Sequence, residues 1–375
     1  MIDYQQLNER SLVKINQIQS SKYLKISGLC FTLVLTLALM LPAATGISAS
    51  AQACSSNVSK DAAQWAVVNV SDCFLRAEPR YGSECVSQSR MGTLVQVLER
   101  KGYWVKVATP EPYEGWINEL ALAPVRELSV EEQKATGLFG ATLSPMDQAA
   151  AEMYLRAPKQ ICVSRNATVY AGPDSDEPLT TLLMSDIVRV PKGFRINNTG
   201  RRCIVLPDGR EGWVSQKALK DMHFWAYGEA AESDSVKIAG ILALAKSFLG
   251  VPYLWGGMSA GHFDCSGLTG FCYFMNGILL PRDASQQVRC GIEVPLDAMQ
   301  PGDLVFFGNT SVGHVALYLG GGRIIHASQL VRINSLVPGE KDYYGRNILH
   351  VRRIIGHLQA GELKAVYTKD SPAYF

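Results

Sequence analysis

The 375-residue chain has no Cys-x-x-Cys pair, no acidic or basic tail, and no apolar run of full membrane-spanning length. Each absence removes a class of function. Nine cysteines are scattered singly, so the paired spacing of a structural zinc site is missing. Charged residues make up only 19% of the chain, and 36 basic against 34 acidic side chains leave a net charge of +2. That balance gives no electrostatic case for nucleic acid or for an anionic membrane surface. The triplet Gly320-Gly321-Gly322 has no phosphate-loop pattern around it and reads as a hairpin loop. What is present is an ordinary globular composition, 47% hydrophobic, on a chain long enough for two or three domains.

The first 53 residues read as an export address. Arg10, Lys14, Lys22 and Lys25 precede an apolar run at residues 26–41, 16 residues long, where a spanning helix needs about 20. Pro42 and a small-residue stretch follow, with Ala51-Gln52-Ala53 as an A-x-A cleavage site. An uncleaved anchor is the alternative, because the leader before the apolar run is long. Cys54 stands directly after the cleavage site, as in lipoproteins, although Ser50-Ala51-Gln52-Ala53 lacks the leucine usual there. Without residues 1–53 the chain carries 32 cations and 32 anions. Setting aside Cys30, Cys54 and a catalytic Cys265, the six cysteines 73, 85, 162, 203, 272 and 290 could pair in an oxidising compartment, in an order the spacing does not assign.

An internal repeat spans residues 60–222. Leu75-Arg76-Ala77-Glu78-Pro79 and, later, Gly115-Trp116-Ile117 are echoed by Thr168-Val169-Tyr170-Ala171-Gly172-Pro173 and Gly212-Trp213-Val214. Short alternating runs between turn residues, Asp208-Gly209 among them, predict two small β-barrels at 60–125 and 157–222. Residues 126–156 read as a helical linker. Ile238, Ile241, Leu242, Ala245 and Leu249 recur at helical spacing and Gly250 closes the run, so a third domain is placed at 236–370. There a helix at 264–275 precedes three strand-like runs at 303–307, 314–319 and 323–328, the order of an α+β domain.

Cys265 falls at the start of that helix, where unpaired N–H groups favour thiolate and lower a thiol pKa from about 8.5 to between about 3.5 and 7.5. The small Ser266 and Gly267 beside it leave room for a substrate carbonyl. The competing reading is a buried structural cysteine, which suits Cys272 better. His314 and His326 flank the glycine triplet. If all three glycines form the loop, Leu319 pairs with Arg323, position 316 faces 326, and the two histidines are diagonal neighbours about 7–8 Å apart by backbone. One imidazole can then orient the other. A two-residue loop would place them on opposite faces.

Pro252-Tyr253-Leu254-Trp255-Gly256-Gly257, Asp264-Cys265-Ser266-Gly267, Leu280-Pro281-Arg282-Asp283-Ala284-Ser285, Pro301-Gly302-Asp303-Leu304-Val305-Phe306-Phe307, Gly313-His314-Val315-Ala316-Leu317-Tyr318 and Ile325-His326-Ala327-Ser328 occur in this order. Together they resemble the NlpC-type cell-wall cysteine peptidases over residues 236–358, and the two barrels resemble bacterial SH3-like domains. The resemblance implies an α+β protein, a papain-like NlpC-type catalytic domain preceded by two SH3-like barrels. It implies Cys265 as nucleophile, His314 as base, His326 as orienting residue, and Tyr253 with the Cys265 N–H as oxyanion donors. The architecture is that of the γ-D-glutamyl-diamino-acid endopeptidases, which recycle wall peptides. That subgroup implies Asp264 as ligand of a free L-Ala amine, Ser266 and Ser285 as hydrogen-bonding partners, and Glu84 and Tyr113 of the first barrel closing the pocket.

The expected reaction is hydrolysis of a γ-D-Glu–diamino acid amide through a thioester, with no metal or organic cofactor. The expected substrates are peptidoglycan-derived peptides. Nucleic acid is not expected as a partner, and no protein partner is implied. The expected location is the periplasm or cell envelope, with lipidation at Cys54 as a variant. The rivals are attack on intact peptidoglycan, and a wall-binding protein with an inactive catalytic domain.

Overall fold

Two β-rich segments precede the chemistry, and each repeats the other strand for strand. The computed structural model describes residues 63–193 and 195–375, so the expected leader at 1–53 and Cys54 lie outside the described residues. The first segment is a seven-stranded sheet running from Gln64–Val68 to Leu122–Ala123, and the second runs from Lys159–Cys162 to Leu219–Asp221. Counted along each segment, the strands lie in the same spatial order: third, second, sixth, fifth, fourth, first, seventh. Alternation makes the core. In Trp104–Thr109 the residues Val105, Val107 and Thr109 are buried while their neighbours are partly exposed. The repeated Gly-Trp step has a steric cause. A Cβ on Gly115 would come within 2.8 Å of Leu75 Cβ, and one on Gly212 within 2.4 Å of Val169 Cγ1. Trp116 and Trp213 then pair across the strands with Arg76 and Tyr170.

The linker is not helical throughout, which corrects the expectation for 126–156. Helices Val130–Thr136 and Gln148–Arg156 are present, but Ala141–Leu143 is a strand paired with Val125–Glu127. Gly137 at φ 70° ends the first helix. The buried Glu119 carboxylate then accepts the Thr142 hydroxyl at 3.0 Å and the Leu143 N–H at 3.2 Å, tying this strand to the first barrel.

The remaining segment is α+β. A six-stranded antiparallel sheet runs, in space, Ile292–Glu293, Ile348–Arg353, Leu304–Gly308, Val312–Gly320, Arg323–Ser328, Leu330–Ser335. Helix Cys265–Phe274 lays Leu268, Phe271 and Cys272 into one core with Leu304, Phe306, Val315, Leu317 and Ile325 of the sheet. Phe248, Phe263 and Phe271 meet edge to face with centroids 4.9, 5.3 and 5.6 Å apart, locking helix Asp234–Ser247 and the loop after it onto that helix. This packing fixes where the start of helix Cys265–Phe274 points. The seven described cysteines all carry free thiols, and no helix among the described residues is long and apolar enough to cross a membrane.

Candidate active site

Asp264 caps the helix that begins at Cys265, its Oδ1 accepting the Gly267 N–H at 2.6 Å. The turn is tight: a Cβ on Gly267 would lie 1.9 Å from the Gly257 carbonyl oxygen, so no larger residue fits. Cys265 is held buried here. Burial first, and the Asp264 charge second, push its thiol up to about 11, against the backbone N–H groups of Val315 and Ser266. This direction is opposite to the one expected from the helix terminus. Desolvation at this buried position favours the neutral thiol over the thiolate, against the partial charge of a helix end.

His314, expected as the base, directly precedes Val315 on strand Val312–Gly320. His314 Nε2 and His326 Nδ1 are 2.7 Å apart, with ring planes at 82°. Since Nε2 is engaged, Nδ1 is the nitrogen of His314 left to take a proton. Burial holds both imidazoles neutral, His314 down to about 3 and His326 to about 4. The register that joins them is the expected one, with Leu317 facing Ile325 and Tyr318 facing Ile324, but it arises differently. Gly320 pairs with Arg323, and the ladder slips between Tyr318 and Gly320. The loop is therefore a two-residue turn plus a bulge, and the bulge restores the parity that a bare two-residue turn would have lost.

The Asp264 carboxylate faces inward. Arg282, itself buried, donates to it twice, at 2.6 Å to Oδ2 and 3.2 Å to Oδ1. Gly256 N–H adds a bond at 3.0 Å, and the Ser266 hydroxyl lies 3.3 Å from Oδ1 and 3.1 Å from the guanidinium. The Asp264 carboxylate, expected as ligand of a free amine, is thus paired with Arg282 and with the Gly256, Gly267 and Ser266 donors. Arg282 also donates to Ser87 of the first barrel at 2.9 Å, and Met258 N–H to Gln88 at 2.6 Å. A Cβ on Gly256 would lie 2.6 Å from the Cys85 carbonyl oxygen, so the barrel abuts the loop before the cysteine. Glu84 accepts the Trp255 indole N–H at 2.6 Å. Tyr113 is half-buried and feels the charges of Asp283, Arg282, Glu84 and Asp264. Ser285 is exposed and makes no hydrogen bond to Asp264 or Arg282. Tyr253 has its hydroxyl pKa raised by burial and by the neighbouring Cys265 and Asp264, which keeps it a protonated donor.

Three participants carry no role in the sequence reading: Arg282, Trp255 and Asn334, whose Oδ1 lies 3.0 Å from His326 Nε2. Arg282 did leave a signal, because an arginine directly after the apolar Ile278-Leu279-Leu280-Pro281 must be buried with a partner or break the run. A cleft of about 590 Å³ on the second barrel, with Tyr170, Asp174 and Lys217 on its walls, holds none of these residues.

Residues 250–353 match the NlpC/P60 family and residues 71–122 match the bacterial SH3 domain. A gamma-D-glutamyl-L-lysine dipeptidyl-peptidase of Bacillus cereus is 30% identical over 281 residues, 72% of this chain and 75% of that protein. Dipeptidyl-peptidase 6 of Lysinibacillus sphaericus is 30% identical over 70% of this chain and 88% of its own. The crystal structure of an NlpC/P60 family protein from Bacillus cereus superposes with a TM-score of 0.58, at 23% identity, over 78% of this chain and 99% of that one, and shares the fold. A cysteine at a helix start, a histidine pair at the sheet and barrel domains before them are therefore parts of one architecture: the chain belongs to the NlpC/P60 family of cysteine peptidases.

Proposed function

We propose that this peptidase hydrolyses the γ-D-glutamyl–diamino acid amide of wall peptides that carry a free N-terminal L-Ala. Cys265 Sγ attacks the γ-carbonyl carbon as His314 Nδ1 takes the thiol proton. The oxyanion is held by the Tyr253 hydroxyl and by the Cys265 N–H, which as a first-turn group has no acceptor within its helix. Collapse breaks the C–N bond, His314 returns its proton to the leaving amine, and a thioester remains. Water, deprotonated by His314, then releases the acyl product and restores the thiol. The name of one relative, a gamma-D-glutamyl-L-lysine dipeptidyl-peptidase, supports this bond as the target. An envelope location follows from such substrates.

The observation that carries the preference for short free peptides is the first barrel standing at the mouth of the site, joined to it by the 2.6 Å bond between Glu84 and Trp255. Because Arg282 neutralises Asp264, the charge left for an ammonium is that of Glu84, whose second oxygen is free of Trp255, and of the neighbouring Asp283. A charge-assisted hydrogen bond there is worth about 1.5–3 kcal/mol. Acetylating the L-Ala amine is expected to lower kcat/KM at least ~100-fold, equivalent to about 2.7 kcal/mol. Mass spectrometry of products from the free tripeptide, its N-acetyl form and intact sacculi measures this. Equal turnover of both peptides would transfer the reading to peptidoglycan itself.

His326→Ala tests the orienting role. Its loss is expected to lower kcat by roughly 10–100-fold with KM nearly unchanged, since holding the base in place matters most in the transition state. Unchanged steady-state kinetics would make His326 a packing residue.

A further inference from the structure

We infer that Asn334 is a positioning residue, a fourth member of the Cys265–His314–His326 chain that sets on which nitrogen each imidazole carries its proton. The inference rests on the catalytic reading above. Asn334 lies on strand Leu330–Ser335, facing Ile324, and is therefore diagonal to His326, which faces Arg332. It is buried, and both ends of its amide are used. Nδ2 donates to the Asp342 backbone carbonyl at 2.6 Å, which turns Oδ1 toward His326 Nε2 at 3.0 Å.

An amide oxygen only accepts, so His326 must carry its hydrogen on Nε2. A neutral imidazole has one N–H, which leaves His326 Nδ1 as a lone pair. Across the 2.7 Å contact His314 Nε2 must then be the donor, and the one remaining lone pair of His314 is on Nδ1. That is the state a base toward Cys265 requires. The opposite arrangement, with protons on both Nδ1 atoms, gives His314 a donor where it needs an acceptor, and it would place His326 Nε2 lone pair against Asn334 Oδ1. The fixed carbonyl of Asp342 thus decides, through three hydrogen bonds, the protonation of the catalytic base. During attack His314 becomes positive, and the same chain spreads that charge toward Oδ1.

The other charged or titratable groups around the pair do not duplicate this. Arg332 on the same strand and Arg346 on the returning loop both oppose a charged His326, and the Tyr344 ring stands edge-on to His326 at 4.5 Å and tilted to His314 at 5.6 Å. Asn334 is the side chain hydrogen-bonded to His326 Nε2.

Asn334→Leu keeps the volume and removes the acceptor. It is expected to lower kcat roughly 10–100-fold with KM within about twofold. Asn334→Asp keeps an acceptor but adds a charge that favours a doubly protonated His326, whose Nδ1–H then opposes His314 Nε2. That variant is expected to approach wild-type kcat at alkaline pH and to lose activity on acidification about one pH unit earlier than wild type. The direct readout is ¹⁵N NMR of the histidine side chains in a Cys265→Ala background, which needs no turnover. The protonated nitrogen should be Nε2 on both rings, and Asn334→Leu should shift population to Nδ1–H. Wild-type kcat and pH profile in Asn334→Leu would overturn the proposal. So would a kcat loss in which the histidine ¹⁵N shifts stay unchanged, because that outcome assigns Asn334 to packing alone. Hydrolysis by Cys265→Ala would overturn the catalytic reading while leaving the tautomer measurement valid, so the two failures are distinguishable.

Discussion

Cys265→Ala is expected to lower hydrolysis of the free tripeptide by at least about 10⁴-fold while leaving the fold and its melting temperature nearly unchanged. No other group in the site can form the acyl intermediate. Ser266 next to it is taken up by Asp264 and Arg282, and Cys272 is sealed in the core about two turns further along the helix. The same buried setting shapes the pH response. A thiol pushed up to about 11 and a histidine held down to about 3 form a neutral pair at rest, so proton transfer accompanies attack rather than preceding it. Activity is lost when His314 or His326 becomes protonated. Since burial depresses both, the acid limb of kcat/KM should lie well below the ordinary imidazole value of about 6.5. Stability follows the same sign. The histidine contribution is complete above the unfolded pKa of about 6.5 and is lost as pH falls toward the folded values near 4 and 3. Rates measured from pH 8 down to 4 check this, and an acid limb at or above 6.5 would contradict the neutral resting pair. Substantial turnover by the alanine variant would end the catalytic assignment altogether.

What the sequence made legible was local or periodic. Helical spacing from Ile238 to Leu249 announced helix Asp234–Ser247, and the Gly-Trp steps announced two copies of one sheet order. The histidine pairing was legible because strand parity is a strict rule, although the device that set it, a bulge beside Gly320, has no signature of its own. Strand Ala141–Leu143 was missed because its three residues gain their stability from Glu119 and from pairing with Val125–Glu127, neither of them local. The direction of the thiol shift was illegible for the same reason. A helix terminus can be read from sequence, but the core that buries Cys265 draws in residues as distant as Val315 and Ala327. Asp264 and Arg282 both stood in recognisable motifs, yet nothing in either motif says that the two side chains meet.

That pair carries the other large effect. Arg282→Met is expected to destabilise the catalytic segment by about 3–5 kcal/mol, because it leaves the Asp264 carboxylate buried against two backbone N–H groups without its countercharge. Asp264→Asn alone strands the guanidinium, with a cost of the same order. The double variant Asp264→Asn/Arg282→Met buries no unpaired charge, and it should recover much of the loss, in the way replacing a whole buried ion pair is often neutral. Hydrogen exchange along helix Cys265–Phe274 is the suitable measure, since it reports this segment separately from the two barrels. The pair also discriminates between roles at the pocket. With its charge spent on Arg282, Asp264 acts by holding the turn that presents Cys265, so Asp264→Asn should reduce turnover of the free-amine and N-acetyl peptides by the same factor. If Glu84 takes the ammonium as proposed, Glu84→Gln should instead reduce the free-amine substrate alone. The opposite pattern, a selective loss in Asp264→Asn with unchanged exchange protection, would return the amine to Asp264 and make Arg282 its tuning partner.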